Sequence, residues 1–449
     1  MRKWILVGIF VVVFVSFVAV LTVSARRNSP YQRLQAEIER LKREGEPLSW
    51  SEIAPPVPKH LDGTSLYRRA FAQLEDAQKK VPPNAWITYS PQVLQTAGPA
   101  LQTLRKAVEF PHMRLIDREK AATNFWSMMP FPQFSHFREF ARLLCAEAEF
   151  HKRQGDIDKA VESCTVILKL ARRIGDEPFL ISFLVQRVVF NIGAARSWSV
   201  VLSDSEASTN AYRNVLRELQ AWDIDRDFIR ALKAERVFTG IQFFDWLRKM
   251  QKKEQSVLAN LRALFGADQI ELSFLLSPNG YLTGNQLLLL SCYRQLIAFA
   301  KKGAPYDFQA LRNYLAQLQR KANQGWEFSI GRRKVSWRPY ALVSILVPVY
   351  QSSFEVATQT HALQRVTEVA LALRLYRAER GKYPDHLQEL VPHYLPQVPI
   401  DPYDGKPIRY RKLQKGFKVW SVGGNRKDDG GVKVRDWWQR GDLVLESKI

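Results

Sequence analysis

The stretch LRLYRAERGKYPDHLQELVPHYLPQVPIDPYDGKPIRY (residues 373–410) opens as a helix, stops at Gly381, passes through three proline-punctuated turns and ends as a short strand. Glycine suits the helix end because it takes up the left-handed conformation without a Cβ penalty. Upstream, SFEVATQTHALQRVTEVALALRLYRAER (353–380) sets Val356, Leu363, Val366, Val369, Ala370, Leu373 and Tyr376 on one apolar stripe at helical spacing. Downstream, KPIRYRK (406–412) and FKVWSVG (417–423) alternate as strands do, with Gly416 in a hairpin turn between them. The closing stretch, SVGGNRKDDGGVKVRDWWQRGDLVLE (421–446), is a polar, glycine-rich loop carrying Asn425, Asp428, Asp429 and Asp436. Together these predict a small α+β domain over 351–449: a long helix packed on an antiparallel sheet, with an acidic loop.

The order of elements closely resembles the C-terminal half of the major pseudopilin of type II secretion systems. The matching segments are LYRAERGKYP (375–384), YLPQVPIDPYDGKPIRY (394–410) and WSVGGNRKDDGG (420–431), with Asp436 and Trp437 beyond them. The resemblance implies that the final loop binds calcium through carboxylates and backbone carbonyls. Asp428 and Asp436 are the first candidates for ligands, and Asp429 and Asn425 come next. A calcium ion takes about six to eight oxygens, and a glycine-rich loop can turn carbonyls inward to supply some of them. Asn425 stands where the family has an acidic residue, and Arg426, Lys427, Lys433 and Arg435 would repel a cation. A surface loop closed by salt bridges is the alternative. The family also assembles filaments through an N-terminal helix carrying a glutamate five residues after a processing glycine. Here Gly8 is followed by IFVVV, without that glutamate. The domain is therefore expected to serve as a folding or docking module and not as a filament subunit.

The N-terminus, MRKWILVGIFVVVFVSFVAVLTVSARRNSPYQ (1–32), holds an uncharged apolar run from Trp4 to Val23 between Arg2–Lys3 and Arg26–Arg27. About twenty residues rising roughly 1.5 Å each match a hydrocarbon core of about 30 Å. A cleavable signal peptide is the competing reading, since Val23-Ser24-Ala25 resembles a small-residue cleavage site. Its apolar region exceeds the usual 7 to 15 or so residues, which favours an uncleaved anchor over 1–27. Either reading exports the remainder.

Between these ends the chain reads as helix. YQRLQAEIERLKRE (31–44) is amphipathic, and four prolines from Pro47 to Pro58 predict an extended linker completing the segment 28–62. An α-helical domain is expected over 63–350. Its clearest piece is REFARLLCAEAEFHKRQGDIDKAVESCTVILKLARRIG (138–175), two helices meeting at Gly155-Asp156 with small Ala148 and Ala160 at the contact. This resembles one tetratricopeptide unit. No clear second copy follows at that repeat's spacing of about 34 residues, and an isolated helical hairpin is the alternative. Further helices are expected at 178–202, 205–221, 225–263, 284–301 and 306–323, with a turn at Pro278, Gly280 and Gly284. YALVSILVPVY (340–350) is too short to span a membrane and is interrupted by Pro348, so it reads as a core segment or a membrane-docked surface.

The formal charge of +22 suits an anionic partner such as a membrane surface or wall polymer, but the basic residues are spread along the chain. No nucleic-acid module signature accompanies them, so specific nucleic-acid binding is not expected. Cys145, Cys164 and Cys292 lack CxxC spacing and read as buried thiols, with a Cys145–Cys164 bridge conceivable. The seven histidines form no metal-binding spacing, the nearest approach being His386 with Glu389. No GxSxG elbow, phosphate loop or dinucleotide fingerprint occurs. Glu147 with Glu149 and Asp223 with Asp225 fall two apart, which reads as solvated charge. The Trp437-Trp438 pair reads as packing over the domain's own helix, or as an interface residue pair. The sequence thus predicts a mainly α protein of the envelope, held in the membrane by its N-terminal anchor, with the bulk of the chain outside the cytoplasm. It would be a non-enzymatic scaffold for other envelope proteins, associated with a secretion or pilus-like apparatus. An enzyme acting on wall polymers, with its site between the helical domain and the C-terminal module, is the alternative.

Overall fold

The computed structural model describes residues 29–116, 131–194, 206–251, 269–271, 278–330, 333–337, 339–434 and 436–447. The expected anchor, Trp4–Val23, and Arg435 lie outside them. The described chain is mainly helical, with a small antiparallel three-stranded sheet near its C-terminus. Its longer helices are α1 (Pro30–Arg43), α2 (Thr64–Lys80), α3 (Pro91–Val108), α4 (Phe131–Arg153), α5 (Ile157–Ile174), α6 (Leu180–Ile192) and α7 (Thr209–Gln220). These are followed by α8 (Ile224–Val237), α9 (Phe243–Gln251), α10 (Pro278–Ala300), α11 (Phe308–Ala322) and α12 (Ala341–Arg380). The strands are β1 (Gln269–Glu271), β2 (Trp326–Ile330), β3 (Arg333–Trp337), β4 (Arg409–Leu413), β5 (Gly416–Ser421) and β6 (Leu443–Ser447).

Two compact units emerge. The smaller comprises the described residues of Met1–Glu52, Arg236–Gln295 and Arg312–Pro348. It departs from the all-helical expectation for 63–350, because β2 and β3 form an antiparallel hairpin and β1 pairs parallel to β3. α10 starts at Pro278, where a turn was expected. Proline is tolerated in a helix's first turn, where its missing N–H has no intrahelical partner to lose. In the same unit Leu34 and Leu41 of α1 are buried. Arg236, 1% exposed, donates to Glu46 Oε2 (2.9 Å) and to the Pro47 carbonyl (3.1 Å).

The larger unit comprises Ile53–Glu235, Leu296–Leu311 and the described part of Val349–Ile449. The span expected as one helical domain is thus divided, and part of it joins the C-terminal residues. The expected linker is also folded. One-turn helices at Trp50–Ile53 and Lys59–Leu61 replace extended chain, since Trp50, Ile53 and Ala54 are buried side chains that a solvated linker would leave exposed.

Helices α2 and α3 pair in the larger unit, as do α4 and α5, and α6 and α7 then pack on α5. At the α4–α5 turn Gly155 takes a φ of +80°, and the Asp156 side chain accepts from the Lys159 amide, as the sequence predicts. Ala148 and Ala160 are fully buried, and Cys145 and Cys164 are buried free thiols. Glu147 is not a solvated charge. Its Oε2 accepts from Arg105 of α3 and from Ser163 Oγ of α5 (2.8 Å), so it clamps neighbouring helices. Glu235 of α8 supplies the cap that Phe179 cannot, accepting from the Leu180 amide (3.1 Å) at the start of α6.

Helix α12 runs forty residues without stopping at Pro348, where a break was expected. Pro348 lies two turns from the start on an exposed face, so only one early hydrogen bond is lost. The far larger buried length beyond it offsets a cost of about 3 kcal/mol. The stripe read from the sequence is buried, with Val356 intermediate, but so is the opposite face. From His361 to Tyr376 only Arg365 is not buried. The polar residues on that second face carry the contacts. Gln364 Nε2 donates to the carbonyls of Leu219 (3.0 Å) and Trp222 (2.8 Å), which satisfies the C-terminal end of α7. Arg374, 1% exposed, donates to the Tyr212 hydroxyl of α7 (3.1 Å), to the Tyr383 hydroxyl (3.2 Å) and to Ser447 Oγ of β6 (3.4 Å).

The terminal sheet has the order β4-β5-β6, all antiparallel, and Trp420 of β5 faces Arg409 on one side and Val444 on the other. The turns before it are held by Asp401, which is fully buried. Its carboxylate accepts from the amides of Tyr403 (3.0 Å) and Val422 (2.9 Å), from Ser421 Oγ (2.9 Å) and from Arg409 Nη1 (2.7 Å). His386 and Glu389 form a helix cap and not a metal site, because Glu389 accepts from the amides of Asp385 and His386.

Two stability measurements test this account. Replacing Arg374 by Ala removes the guanidinium shared by the hydroxyls of Tyr212, Tyr383 and Ser447 and leaves a cavity, and is expected to cost about 3–5 kcal/mol in chemical denaturation. Desolvation raises the carboxyl of Glu235 from 4.5 to about 7. A group with a folded value above its unfolded one stabilises fully below pH 4.5, and that contribution disappears as pH rises through 7. Glu235→Gln is therefore expected to match the wild type near pH 4 and to exceed it by up to about 3 kcal/mol at pH 8.

Candidate functional site

Two places in the larger unit gather candidate functional side chains. The first is the acidic loop between β5 and β6. Its path is fixed by backbone crowding. A Cβ on Gly423 would lie 2.0 Å from the Gly441 carbonyl oxygen, and one on Gly424 would lie 1.9 Å from that of Trp438. Asp442, which the sequence reading passed over, is fully buried and accepts from the amides of Gly431 (2.7 Å) and Asp429 (3.4 Å).

The four residues proposed as ligands are each engaged by the protein itself. Asp428 Oδ1 accepts from Trp420 Nε1 (2.9 Å) and the Gly430 amide (3.0 Å), and its Oδ2 lies 3.6 Å from Arg409 Nε. Against the opposing effect of burial, these donors hold Asp428 below the usual carboxylate range. Asp429 Oδ2 accepts from the side-chain amide of Asn425 (2.8 Å), which also donates to the Arg440 carbonyl. Asp436 opens the one-turn helix Trp437–Arg440 and pairs with Arg440 (3.2 Å). The structure brings Asn425 and Asp429 together and turns Asp428 and Asp436 toward other partners. Among the described residues no group of three or more His, Cys, Asp or Glu side chains gathers as a metal site. Trp437 is buried, and Trp438, 36% exposed, meets it edge-on.

The second place is a cleft that sequence spacing did not reveal. Asp225, expected as a solvated charge, sits in the first turn of α8. Its Oδ1 accepts from the Tyr306 hydroxyl (2.8 Å) and from His361 Nε2 of α12 (3.0 Å). Arg365 and Glu368 follow His361 along α12 and face each other at 3.4 Å. The proline turns Pro396–Pro402 close the other side, leaving a cavity of about 240 Å³. Burial would raise the carboxyl of Asp225, but His361 and Tyr306, with the Arg365 charge, hold it below the usual range. Glu368 is shifted the other way, raised by burial against the pull of Arg365. His361 is 4% exposed, and its Nδ1 has no hydrogen-bond partner among the described residues. A signal was present in the sequence. His361, Arg365 and Glu368 fall at helical spacing on a helix whose other face is apolar, so they share one line along α12.

No family model, no curated protein and no solved structure matches this chain.

The loop geometry gives a calcium test. The melting midpoint of the wild-type protein is expected to be the same in calcium and in chelator. Asn425→Asp removes the amide that faces Asp429 and sets two carboxylates together. That variant is expected to melt lower in chelator and to recover on adding calcium, as a ligand bound only by the folded state requires.

Proposed function

We propose that this chain is a membrane-anchored, extracytoplasmic scaffold in which a pseudopilin-like module is built into a helical body and serves to hold other envelope proteins. The observation that carries the reading is the burial of α12 on every face between His361 and Tyr376. A pseudopilin-like helix that assembled into a filament would keep a face for its neighbours. In this chain Gln364 and Arg374 spend that face on α7 of the same unit. The helical pairs α2–α3 and α4–α5, the second with the glycine turn and small-residue contact of a tetratricopeptide unit, support a protein-binding body. A uniformly basic chain of net charge +22 suits a position beside anionic lipid or wall polymer. The apolar run Trp4–Val23 supports the anchor. Calcium has no required part in this reading, since Arg409, Trp420 and Asn425 occupy the loop carboxylates. Association with a secretion or pilus-like apparatus rests on the resemblance of residues 355–440 alone.

The wall-polymer enzyme is supported less well. The cleft pairs a carboxylate with a histidine, but the unbonded ring nitrogen of that histidine is shut away from solvent, where no polymer could reach it.

Membrane fractionation with protease accessibility tests the scaffold. The full chain is expected in the membrane fraction, resistant to high-salt extraction, with residues beyond 28 cleaved by protease added outside the cytoplasmic membrane. Deleting residues 1–28 should release it. Recovery of the intact chain in the soluble cytoplasm, or its incorporation into filaments, would sink the proposal.

A further inference from the structure

Helix α7 turns a stripe of one chemical character to solvent. Asn210, Arg213, Asn214, Arg217 and Gln220 are its exposed residues, at helical spacing, and none is a carboxylate. The one acid of the helix, Glu218, is spent on Arg172 of α5. An exposed helix gains from opposite charges four residues apart, yet here Arg213 and Arg217 stand at that spacing as a like-charged pair.

Along one side the stripe borders a groove of about 390 Å³, closed by the end of α12 and by the turn at His393 and Tyr394. Its floor is apolar, since Leu216, Leu375 and Tyr394 are buried. Gln220 Nε2 donates to the Tyr394 carbonyl (3.1 Å), which ties the far wall to α7. At the rim three guanidinium groups stand against one carboxylate. Glu379 accepts from Arg213 and from the Tyr394 hydroxyl (2.8 Å), and Arg380 bonds that same hydroxyl. The side chain of Arg217 has no hydrogen bond or ion pair among the described residues. Positive charge is therefore in excess, and a concave surface with an apolar floor focuses it on an incoming anion. The groove on the other side of α7, against α5, is of mixed sign, because Asp158 and Glu162 line it with Lys169 and Arg217.

We infer that the groove between α7 and α12 docks a short acidic segment of a partner protein, its carboxylates on Arg217 and Arg380 and a neighbouring apolar side chain on the floor of Leu216, Leu375 and Tyr394. A guanidinium suits this role because its planar fork matches a carboxylate with two parallel bonds. The floor chooses among anionic partners. A bilayer surface is too flat to enter a groove, and a polar wall polymer has nothing to place on apolar side chains. The inference rests on the scaffold reading and names the surface that would hold one partner.

The test is fluorescence anisotropy of the full chain in detergent with three labelled peptides: Glu-Leu-Glu-Glu-Leu-Glu, its neutral counterpart Gln-Leu-Gln-Gln-Leu-Gln, and hexaglutamate. The first is expected to bind saturably and to weaken in high salt, the second not to bind, and the third to bind at least about tenfold more weakly than the first. Arg217→Glu and Arg380→Gln should each weaken the first peptide about tenfold or more. Both should melt like the wild type, since these side chains are exposed. Arg69→Glu changes the charge at an exposed position of α2 outside the groove and should leave binding unchanged. The inference is overturned if no peptide binds, if the neutral peptide or hexaglutamate binds as well as the first, or if Arg69→Glu weakens binding as much as Arg217→Glu. Salt-reversible self-association that Arg217→Glu abolishes would give the groove to a second copy of the chain and overturn it too. Membrane fractionation reads the scaffold separately, so a chain that stays anchored and exported but binds no peptide loses this inference alone.

Discussion

A guanidinium with almost no access to water holds the larger unit together. Arg374 stays charged at every physiological pH, and removing such a group from water costs several kcal/mol unless each N–H finds an acceptor. Its hydroxyl partners come from three parts of the chain: Tyr212 from α7, Tyr383 from the turn after α12, and Ser447 from the last strand. The Tyr212 hydroxyl also accepts from the Ala207 amide, which fixes the approach to α7. Helical body and terminal sheet are thereby committed to one geometry, since a shift of either would strand the charge. The apolar packing around it is large but indifferent to small displacements. Directional bonds to Arg374 and Gln364 select one register from those the packing would tolerate.

The C-terminal module was the most legible part of the chain because its signals are local. A glycine that ends a helix, prolines that cannot continue one and strands of period two all act within a few residues. The turn at Gly155-Asp156 was legible for the same reason. What escaped was set by partners distant in sequence. Glu147 and Asp225 looked like solvated charges because nothing nearby in the chain pairs with them, while Arg105, Tyr306 and His361 do so across the fold. α12 read as amphipathic because Thr358, Gln364 and Arg374 count as polar. Their polarity is spent inside the protein, on the helix's own carbonyls for Thr358 and on α7 for Gln364 and Arg374. The continuation of α12 through Pro348 was missed for a related reason, since tertiary context overrides local preference there, whereas the hairpin β2–β3 carries a local signal in the alternation of Trp326, Phe328 and Ile330 with Glu327 and Ser329.

The same distinction applies to the candidate sites. The shape of the acidic loop and the engagement of its exposed carboxylates are separable properties. Here the shape is shared between two buried carboxylates, Asp401 and Asp442, whose oxygens are consumed by backbone amides. The more exposed Asp428, Asp429 and Asp436 answer to arginine, tryptophan and asparagine. The cleft at Asp225, by contrast, resembles nothing in the sequence motifs, and its contacts join α8, Tyr306 and α12.

The glycines of the acidic loop bear on how such a domain can change over evolutionary time. Gly423 and Gly424 lie so close to the carbonyls of Gly441 and Trp438 that no other residue fits without moving backbone. Around them, Lys427 projects into solvent, while Arg426, also exposed, lies over the Phe308 ring at 4.9 Å. Drift is therefore channelled: an exposed side chain such as Lys427 can be exchanged with little effect on folding, and the two glycines cannot be exchanged without moving backbone. Charge on the loop could thus turn over while its contour, pinned at Gly423 and Gly424, stays unaltered.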